Sequence, residues 1–591
     1  MTQLIINNAS IIDTERKNIF KGSVRIAEGI ITEISDTPFS NSEAEKVIDL
    51  KGALLAPSFI DSHIHIESSM LSPLEFARTA ILHGTGMVMV DPHEIANVFG
   101  TKAVRLFIEL AQLMPLDMYI AIPSCVPATD MENSGAVITA KDVKDLLPED
   151  QVYGLAEMMN FPGIIKGFGD AREKVDAAFT FGKIVDGHCP GVTGEGLRTY
   201  VSNGANDGVV RIMNDHETTH PEEAIDKLGA GMFLALRQGS ATRDLDAILP
   251  VLVRKGTPLE KCMLCSDDLS ASELKNSGHV DRIIKRARDI FIDEGSYAPD
   301  AAALQAIAMA TEIPGRYLQP YLSLTGRPGV GRIAKGYKAN LLILEDLETL
   351  AVRSLIHNGE LIVEEKKSFY QPEAFDFSPF TKSVNTGRTI TADDFNLEAG
   401  IQCSSVTVRA IDLVSESLLT GSAEVPLPVK DNKILPDPSR DTARIAVFER
   451  HHGTGSASRG FVKGLGITGG AIASTIAHDS HNLIVTGYDP DLMAVAANLL
   501  TEKGGGIALV TEKTSFHLSL EIGGLMTNRP IDEVIEDYDK LKKAAVELGT
   551  PLRNIFMTLS FLSLPVIPSL KITDKGLVDV DSFSFTELVV S

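Results

Sequence analysis

Short apolar runs separated by polar turns open the chain. Leu4-Ile-Ile6 and Lys46-Val-Ile-Asp-Leu50 are runs of this kind. Alternation of β-type runs with polar turns predicts a small antiparallel sheet over residues 1–52. The same pattern returns after residue 330, for example in Ala339-Asn-Leu-Leu-Ile-Leu344. The sequence therefore predicts one small β-sheet domain formed from both flanks, residues 1–52 and 331–370.

Residues 53–330 follow a different pattern, in which short and fully apolar runs are each followed by a segment of helical length. Examples are Gly86-Met-Val-Met-Val-Asp91, Tyr119-Ile-Ala-Ile-Pro123 and Cys262-Met-Leu-Cys-Ser-Asp267. Parallel strands that are covered on both faces read as near-continuous apolar runs. Repeated strand–helix units over this length predict an α/β fold, a closed (β/α)8 barrel that carries the catalytic site.

A linker and a further domain follow the second flank. Residues 371–400 have the loose polar and aromatic content of a linker. Residues 401–591 contain strand-like runs such as Ala443-Arg-Ile-Ala-Val-Phe448, and they predict an additional C-terminal α+β domain. Gly504-Gly-Gly506 is more typical of a turn than of a phosphate loop, because no Lys followed by Ser or Thr comes after it.

Composition and charge describe an ordinary globular protein. The 591 residues are 44% hydrophobic and 23% charged, unlike disordered or fibrous chains. A net charge of −24 disfavours nucleic acid and anionic lipid as partners. The first residues lack a basic stretch followed by an apolar run, and no stretch approaches the roughly 20 apolar residues that span a bilayer. We expect a cytoplasmic protein that binds neither membrane nor nucleic acid.

Cysteine usage agrees with that compartment. The five cysteines are odd in number and scattered, so a disulfide framework is not expected. Cys262 and Cys265 form a CxxC pair, but no second pair accompanies it and Cys265 lies inside an apolar, strand-like run. Two buried thiols are therefore favoured over a zinc or redox motif.

Histidine and carboxylate residues follow the ends of the predicted barrel strands. His63 and His65 are two residues apart after an apolar run, so on a strand both imidazoles project to one face and can bind one ion. The same placement recurs along the barrel, at His93, Glu157, His188, His216 and Asp267. Active sites of such barrels gather at the C-terminal ends of the strands. The pattern predicts a metal site at this face.

The residue types narrow the choice of metal. Imidazoles and carboxylates without thiolates suit Fe(II), Mn(II) or Zn(II) and argue against a closed structural zinc. His93 has two interpretations: its segment can open a helix with Glu94 near the positive end, but contact with metal or substrate is favoured. Three other histidines are assigned to a helix end, the surface and a hairpin: His83, His220 and His357.

Several longer stretches accompany these residues: His65-Ile-Glu-Ser-Ser69, Asp91-Pro-His-Glu-Ile-Ala-Asn97, Gly154-Leu-Ala-Glu-Met-Met-Asn160 and Ala477-His-Asp-Ser-His-Asn482. In order and over nearly the whole chain, the sequence resembles the bacterial adenine deaminase family of the amidohydrolase superfamily. Many superfamily members bridge two metals with a carboxylated lysine. Here the corresponding strand end has Glu157 and no lysine, which fits the glutamate bridge that the resemblance implies. Cys189 and Cys265-Ser266 depart from the family pattern in ways that bear on the shape of the pocket.

The resemblance implies a site of two divalent ions, with iron or manganese preferred. The ligands are assigned as His63, His65, Glu157 and Asp267 for one ion, and as the bridging Glu157, His188, His216 and His93 for the other. It also implies a purine base as the substrate. A homo-oligomer, a dimer or larger, is expected.

The implied reaction is hydrolytic deamination of adenine to hypoxanthine and ammonia, a step of purine salvage. Metal coordination lowers the pKa of water toward about 7, so hydroxide can attack C6 at neutral pH. Asp267 is expected to accept the proton of the attacking hydroxide and deliver it to the departing amine. Glu217 is the candidate for protonating a ring nitrogen. The alternatives are hydrolysis of another aminated heterocycle or of a cyclic amide. An inactive binding scaffold is disfavoured, because it would be expected to lack the ligands present here.

The segment His478-Asp-Ser-His481 has two interpretations. It is either a polar turn of a structural domain or an extension over the barrel mouth that closes the pocket, from the same chain or from a neighbouring subunit. The second interpretation rests on the resemblance alone.

Overall fold

The computed structural model describes residues 3–40, 44–400, 402–414 and 417–590. The first flank forms five strands: β1 (Leu4–Asp13), β2 (Asn18–Ala27), β3 (Ile30–Ser35), β4 (Lys46–Asp49) and β5 (Leu54–Pro57). Strands β1, β2 and β3 are antiparallel neighbours, whereas β4 and β5 run parallel to β1. Because β5 belongs to this sheet, the sheet takes four residues of the segment expected in the barrel.

The barrel strands follow directly. They are β6 (Phe59–His65), β7 (Thr85–Val90), β8 (Asp117–Ile122), β9 (Val152–Met158), β10 (Ile184–Gly187), β11 (Asn214–Asp215), β12 (Phe233–Arg237), β13 (Cys262–Cys265) and β14 (Asp267–Asp268). Every residue of β6, β7 and β9 is buried, as expected for strands covered on both faces. The longer apolar runs therefore predict these strands correctly.

The strand order closes a ring. One parallel sheet runs β10-β9-β8-β7-β6-β14, and a second runs β11-β12-β13. Only Ser266 separates β13 from β14, so these two pieces act as one strand position that joins the sheets. At the other seam the backbone N–H of Met213 donates to the carbonyl oxygen of Val185 at 2.8 Å. Eight strand positions therefore surround one core, which confirms the predicted (β/α)8 barrel.

Helices surround this ring. They are α1 (Pro73–Ala80), α2 (His93–Phe99), α3 (Thr101–Ala111), α4 (Ala140–Leu146), α5 (Phe161–Lys166), α6 (Ala171–Thr180), α7 (Gly194–Val201), α8 (Pro221–Gly229), α9 (Leu245–Arg254), α10 (Ala271–Asn276), α11 (Val280–Asp293), α12 (Pro299–Met309), α13 (Glu312–Tyr317) and α14 (Gln319–Thr325). Helix α11 buries Ile283, Ile284 and Ala287 along one side, the spacing of an amphipathic helix on a core.

The second flank returns to the small sheet. Its strands are β15 (Leu341–Leu344), β16 (Val352–His357), β17 (Glu360–Glu364) and β18 (Lys367–Ser368). Strand β15 pairs antiparallel with β5, with Leu341 opposite Pro57, so the order is β18-β17-β16-β15-β5-β1-β2-β3. The prediction that both flanks pair in one sheet outside the barrel is confirmed.

The C-terminal part is built on a nine-stranded sheet with helices. Its elements are β19 (Ser405–Leu413), β20 (Thr420–Lys430), β21 (Lys433–Ile434), β22 (Thr442–Phe448), β23 (Ala457–Lys463), β24 (Ala471–Ser474), β25 (Leu483–Gly487), α15 (Pro490–Lys503), β26 (Gly506–Val510), β27 (Ser515–Ser519), α16 (Ile531–Glu547), α17 (Ile555–Ser560), β28 (Leu570–Thr573), β29 (Gly576–Asp579) and β30 (Ser584–Thr586). The last three strands form a separate small sheet. Gly504 ends α15 with φ of 81°, so the glycine triplet begins with the expected turn.

A buried arginine holds the C-terminal domain together near the barrel. The guanidinium of Arg450 donates to the carbonyl oxygen of Ser383 at 3.2 Å, to that of Gly523 at 2.9 Å and to that of His481. These acceptors belong to the linker and to two loops of the C-terminal domain. Arg450 therefore ties the backbone at His481 to the linker and to the loop at Gly523.

Two cysteines and three histidines lie outside the predicted metal site. Cys262 and Cys265 are free, buried thiols on β13, as expected. His83 ends the short turn after α1, His220 is exposed before α8 and His357 ends β16 beside the hairpin turn. In the described part of the chain, no helix combines the length and the apolar character needed to cross a membrane.

Candidate metal centre

The end of β6 directs two imidazoles to one point. Nε2 of His63 and Nε2 of His65 lie 3.1 Å apart. Nδ1 of His65 lies 3.0 Å from the carbonyl oxygen of Asp91, and because a carbonyl only accepts, Nδ1 carries the proton. Nε2 of His65 is then the nitrogen that faces inward, and a backbone carbonyl on the other ring nitrogen is a common way to orient a histidine toward a metal.

Glu157, at the end of β9, occupies the middle of the cluster. Its Oε1 lies 3.6 Å from Nε2 of His65 and 3.3 Å from Nδ1 of His93. Its Oε2 lies 2.5 Å from Nδ1 of His188 and 3.0 Å from Nε2 of His216. The two oxygens of one carboxylate thus face two separate pairs of imidazoles.

His93 lies on the Oε1 side, whereas the expected division placed it with His188 and His216. The reason is the strand order: α2 begins at His93 directly after β7, and β7 is the neighbour of β6. The His93 ring meets the His65 ring edge to face at 4.5 Å. His93 opens a helix, as one interpretation expected, and its ring also faces the cluster.

Asp267 completes the β6 side and is held by an arginine. Its Oδ1 lies 3.2 Å from Nε2 of His65 and 3.7 Å from Nε2 of His63. Its Oδ2 accepts a hydrogen bond from Nη1 of Arg237 at 3.1 Å, and the same Nη1 pairs with Glu217. One guanidinium therefore joins the two carboxylates that the sequence singled out as catalytic.

Arg237 has no role in the sequence prediction. The available signal was its place as the last residue of β12, at the strand ends where the other polar residues gather. Nη2 of Arg237 also lies 2.6 Å from Oδ2 of Asp244. Its charge is thus shared among three carboxylates.

Two buried carboxylates belong to the strand-end cluster, which we define as His63, His65, His93, Glu157, His188, His216 and Asp267. Burial raises the pKa of Glu157, but His216 and His188 outweigh burial and hold that pKa well below its usual range. Burial also raises the pKa of Asp267, and the bond to His65 and the charge of Arg237 likewise hold it well below its usual range. Both carboxylates are therefore anions in a buried site.

The donor set fits divalent cations. His63, His65 and Asp267 offer ligand atoms within 4.8 Å of one another, as do His63, Glu157 and His216. Burial lowers the pKa of His63 well below its usual range, so this imidazole is neutral and has a lone pair to offer. Neutral imidazoles with anionic carboxylates are the ligands that Fe(II), Mn(II) and Zn(II) accept.

A buried lysine fixes the two loops that carry His188 and His216. Nζ of Lys227 on α8 donates to Oδ2 of Asp215 at 2.8 Å and to the carbonyl oxygen of Cys189 at 2.9 Å. The backbone N–H of Cys189 donates to Oδ1 of Asp215 at 2.8 Å. Cys189 follows His188, and Asp215 precedes His216. The ammonium group thus ties together the loops that present both imidazoles.

We expect Lys227→Met to lower the free energy of unfolding by about 3–5 kcal/mol, because it leaves the buried carboxylates of Asp215 and Glu223 without their cation. Urea-induced unfolding measures this loss. Lys255→Met is the matched control, since its Nζ lies 3.3 Å from Glu222 in an exposed pair whose removal costs less than about 1 kcal/mol. Equal losses in the two variants would contradict the role of the buried cluster.

The C-terminal domain contacts the barrel mouth within the same chain. Nδ1 of His478 lies 2.7 Å from Oε1 of Glu94, and Nε2 of His481 pairs with Oε2 of Glu94. Glu94 follows His93 in the chain. The structure therefore supports the interpretation in which this segment extends over the barrel mouth, with no second subunit needed for the contact.

A cavity of about 70 Å³ lies where the two domains meet. The barrel contributes Glu67, Glu94 and Asp268 to its wall, and the C-terminal domain contributes His478 and Phe561. Glu94 and Asp268 directly follow residues of the strand-end cluster. This cavity, called the mouth cavity below, therefore adjoins the candidate metal centre.

The fold and the site together define a class of protein. A closed parallel barrel with imidazoles and carboxylates at its strand ends is typical of metal-dependent hydrolases of the amidohydrolase type. The sequence profile described as the amidohydrolase family matches residues 54–362, just over half of the chain.

The particular family follows from the rest of the chain. A profile described as the adenine deaminase C-terminal domain matches residues 417–584. The adenine deaminase of Desulfatibacillum aliphaticivorans is 39% identical over 586 residues, covering 99% of this chain and 97% of the relative. The adenine deaminases of Halalkalibacterium halodurans and Clostridium botulinum are each 38% identical, covering 99% of this chain and 95% of the relative. The chain belongs to the adenine deaminase family, which confirms the predicted resemblance.

Proposed function

We propose that this protein hydrolyses adenine to hypoxanthine and ammonia, a step of purine salvage, with two divalent metal ions held by the strand-end cluster. The observation that carries the proposal is the position of Glu157, whose two oxygens face two separate pairs of imidazoles. Full-length similarity to adenine deaminases supports the choice of substrate.

The ligand assignment follows the two sides of Glu157. His63, His65, His93 and Asp267 would hold one ion together with Glu157. His188 and His216 would hold the other ion, also together with Glu157. Iron or manganese is proposed, with zinc as the alternative. When bound, such ions lower the pKa of water toward about 7 and so provide hydroxide at neutral pH.

The protein's own residues move the protons. As water adds to C6 of adenine, Asp267 takes one proton and then gives it to the amine, so that ammonia leaves as the C6–N bond breaks. The Arg237 guanidinium keeps Asp267 in place through its 3.1 Å contact with Oδ2. Oδ1 remains directed toward the reacting side, beside His65.

We propose a role for Glu217 that differs from the one expected from the sequence. Its Oε2 accepts a hydrogen bond from Nη1 of Arg237. We propose that it accepts a hydrogen bond from an N–H group of the base. The proton for the ring then has to come from another residue.

The location and assembly are also proposals. We propose a cytoplasmic homo-oligomer, a dimer or larger, that acts on a free purine base. The catalytic residues named above and the contact of Glu94 with His478 belong to one chain.

The test is an ammonia-release assay on metal-stripped protein reloaded with iron, manganese or zinc. The substrates are adenine, guanine and cytosine; ring opening of the cyclic amide dihydroorotate releases no ammonia and is followed separately by chromatography. We expect ammonia from adenine only after metal is restored, with full activity at two metal equivalents per chain. Turnover of another substrate, with none of adenine under any metal, would overturn the proposal.

A further inference from the structure

The mouth cavity has an acceptor side and an apolar side. Glu67, Glu94 and Asp268 bring carboxylates from the barrel, whereas Ile507, Phe561 and their neighbours bring apolar surface from the C-terminal domain. Carboxylates accept hydrogen bonds but donate none when ionised. A flat heterocycle with acceptor nitrogens would be oriented by a donor of fixed direction in this wall.

His481 is not that donor, because both of its nitrogens are engaged. The backbone N–H of Ala477 donates to Nδ1 of His481 at 3.2 Å. Nδ1 is thus an acceptor, and the proton lies on Nε2, which donates to Glu94. Burial lowers the pKa of His481 to about 4, in agreement with a neutral ring. His481 therefore holds Glu94 in position.

His478 has one engaged nitrogen and one that is available. Its Nδ1 forms an ion pair with Oε1 of Glu94 at 2.7 Å, and its ring stacks on Phe561 at 4.4 Å with planes 18° apart. These two contacts fix the plane and the rotation of the ring. In the part of the chain that the structure describes, Nε2 of His478 has no hydrogen-bond partner, although His478 lines the mouth cavity.

The charge of the ring agrees with a donor at this position. Burial lowers the pKa of His478, but the Glu94 carboxylate outweighs burial and raises it to about 9. A ring with both nitrogens protonated directs one N–H to Glu94 and the other into the mouth cavity.

We propose that His478 of the C-terminal domain is a catalytic residue whose Nε2–H binds a ring nitrogen of the purine base and protonates it as water adds to C6. This inference rests on the proposed function. Glu94 and His481 are positioning residues, because they act on the base only through His478. The C-terminal domain thereby supplies a chemical group to the barrel site.

Each proton moved in the proposed reaction has a donor and an acceptor. As the O–C6 bond forms, the π bond between C6 and the ring breaks. Its electron pair moves through the conjugated ring onto a ring nitrogen, which takes the proton from Nε2 of His478. One proton of the water passes through Asp267 to the amine, which leaves as ammonia. The other water proton is released from the C6 hydroxyl as the carbonyl forms, and it restores the charge on His478 through solvent.

The test measures binding of bases that have no amine to lose. Purine and its 1-deaza, 3-deaza and 7-deaza analogues are titrated calorimetrically into metal-loaded wild-type protein and into His478→Phe, which keeps the stacking on Phe561. A hydrogen bond from a charged donor corresponds to about 10-fold to 100-fold in affinity. In the wild type, we expect one of the three analogues to bind weaker than purine by that factor. In His478→Phe this gap should fall below about twofold.

The matched control is His452→Phe, which alters another histidine of the C-terminal domain, one bonded to the carbonyl oxygen of Ser134; it should keep the gap. His478→Gln, which retains one polar group for Glu94, replaces the phenylalanine variant if that variant does not fold, and it should also close the gap. A gap that persists in the His478 variant, or no gap in the wild type for any analogue, would overturn the inference. Because binding needs no turnover, ammonia release from adenine by the wild type tests the proposed function separately.

Discussion

Glu157→Gln is expected to remove at least one metal ion per chain and to reduce kcat for adenine by at least about 10³-fold, since activation of water depends on the ions. The reason is the symmetry of the carboxylate. Oε1 faces His65 and His93, and Oε2 faces His188 and His216. A glutamine in either orientation turns an N–H donor toward one of these pairs, so the ion on that side loses a ligand and meets a donor instead.

Metal analysis of protein purified without chelator measures the first effect, and ammonia release measures the second. Glu173→Gln is the control, because its partner Lys144 lies on the barrel surface; it should keep both ions and full turnover. Two ions per chain with near-normal turnover in Glu157→Gln would show that Glu157 does not bridge them. Added manganese should not restore the variant, because the missing ligand is an oxygen of the protein.

The pattern of the chain predicted the barrel and most of its strand ends for a local reason. A strand buried on both faces is apolar throughout its length, so the polar residue that ends it is visible without knowledge of its neighbours. His63, Glu157 and Asp267 were found in this way. The small sheet was predicted for a similar reason, because β-type runs with polar turns appear on both flanks.

Contacts between distant segments required the structure. His481 and Glu94 are 387 positions apart, and no periodicity within either segment indicates the other. The side of the site on which His93 lies depends on which strands are neighbours in the ring, a property of topology rather than of local sequence. The sequence pattern does not indicate Arg237, because an arginine at a strand end is not a metal ligand. In the structure it joins Glu217 to Asp267.

Asp267→Asn is expected to lower kcat for adenine by about 10²-fold to 10⁴-fold while the fold is retained, because the proton acceptor for water and the donor for the amine are lost together. The backbone tolerates this change. Asp267 has φ of 56°, in the left-handed region where asparagine is among the residues accepted most readily. Arg237 keeps Glu217 and Asp244 as partners, so its charge stays compensated.

The matched control is Asp441→Asn, the same replacement at a residue with φ of 48° in the C-terminal domain, away from the barrel site. It should keep kcat, which separates the chemistry of the carboxylate from any effect of the backbone conformation. Thermal unfolding and metal content accompany the kinetics, because an amide at residue 267 also weakens one ligand of the β6 side. If Asp267→Asn retained near-normal turnover, the proton would have to pass through another group. Asp267 would then serve only to bind the metal.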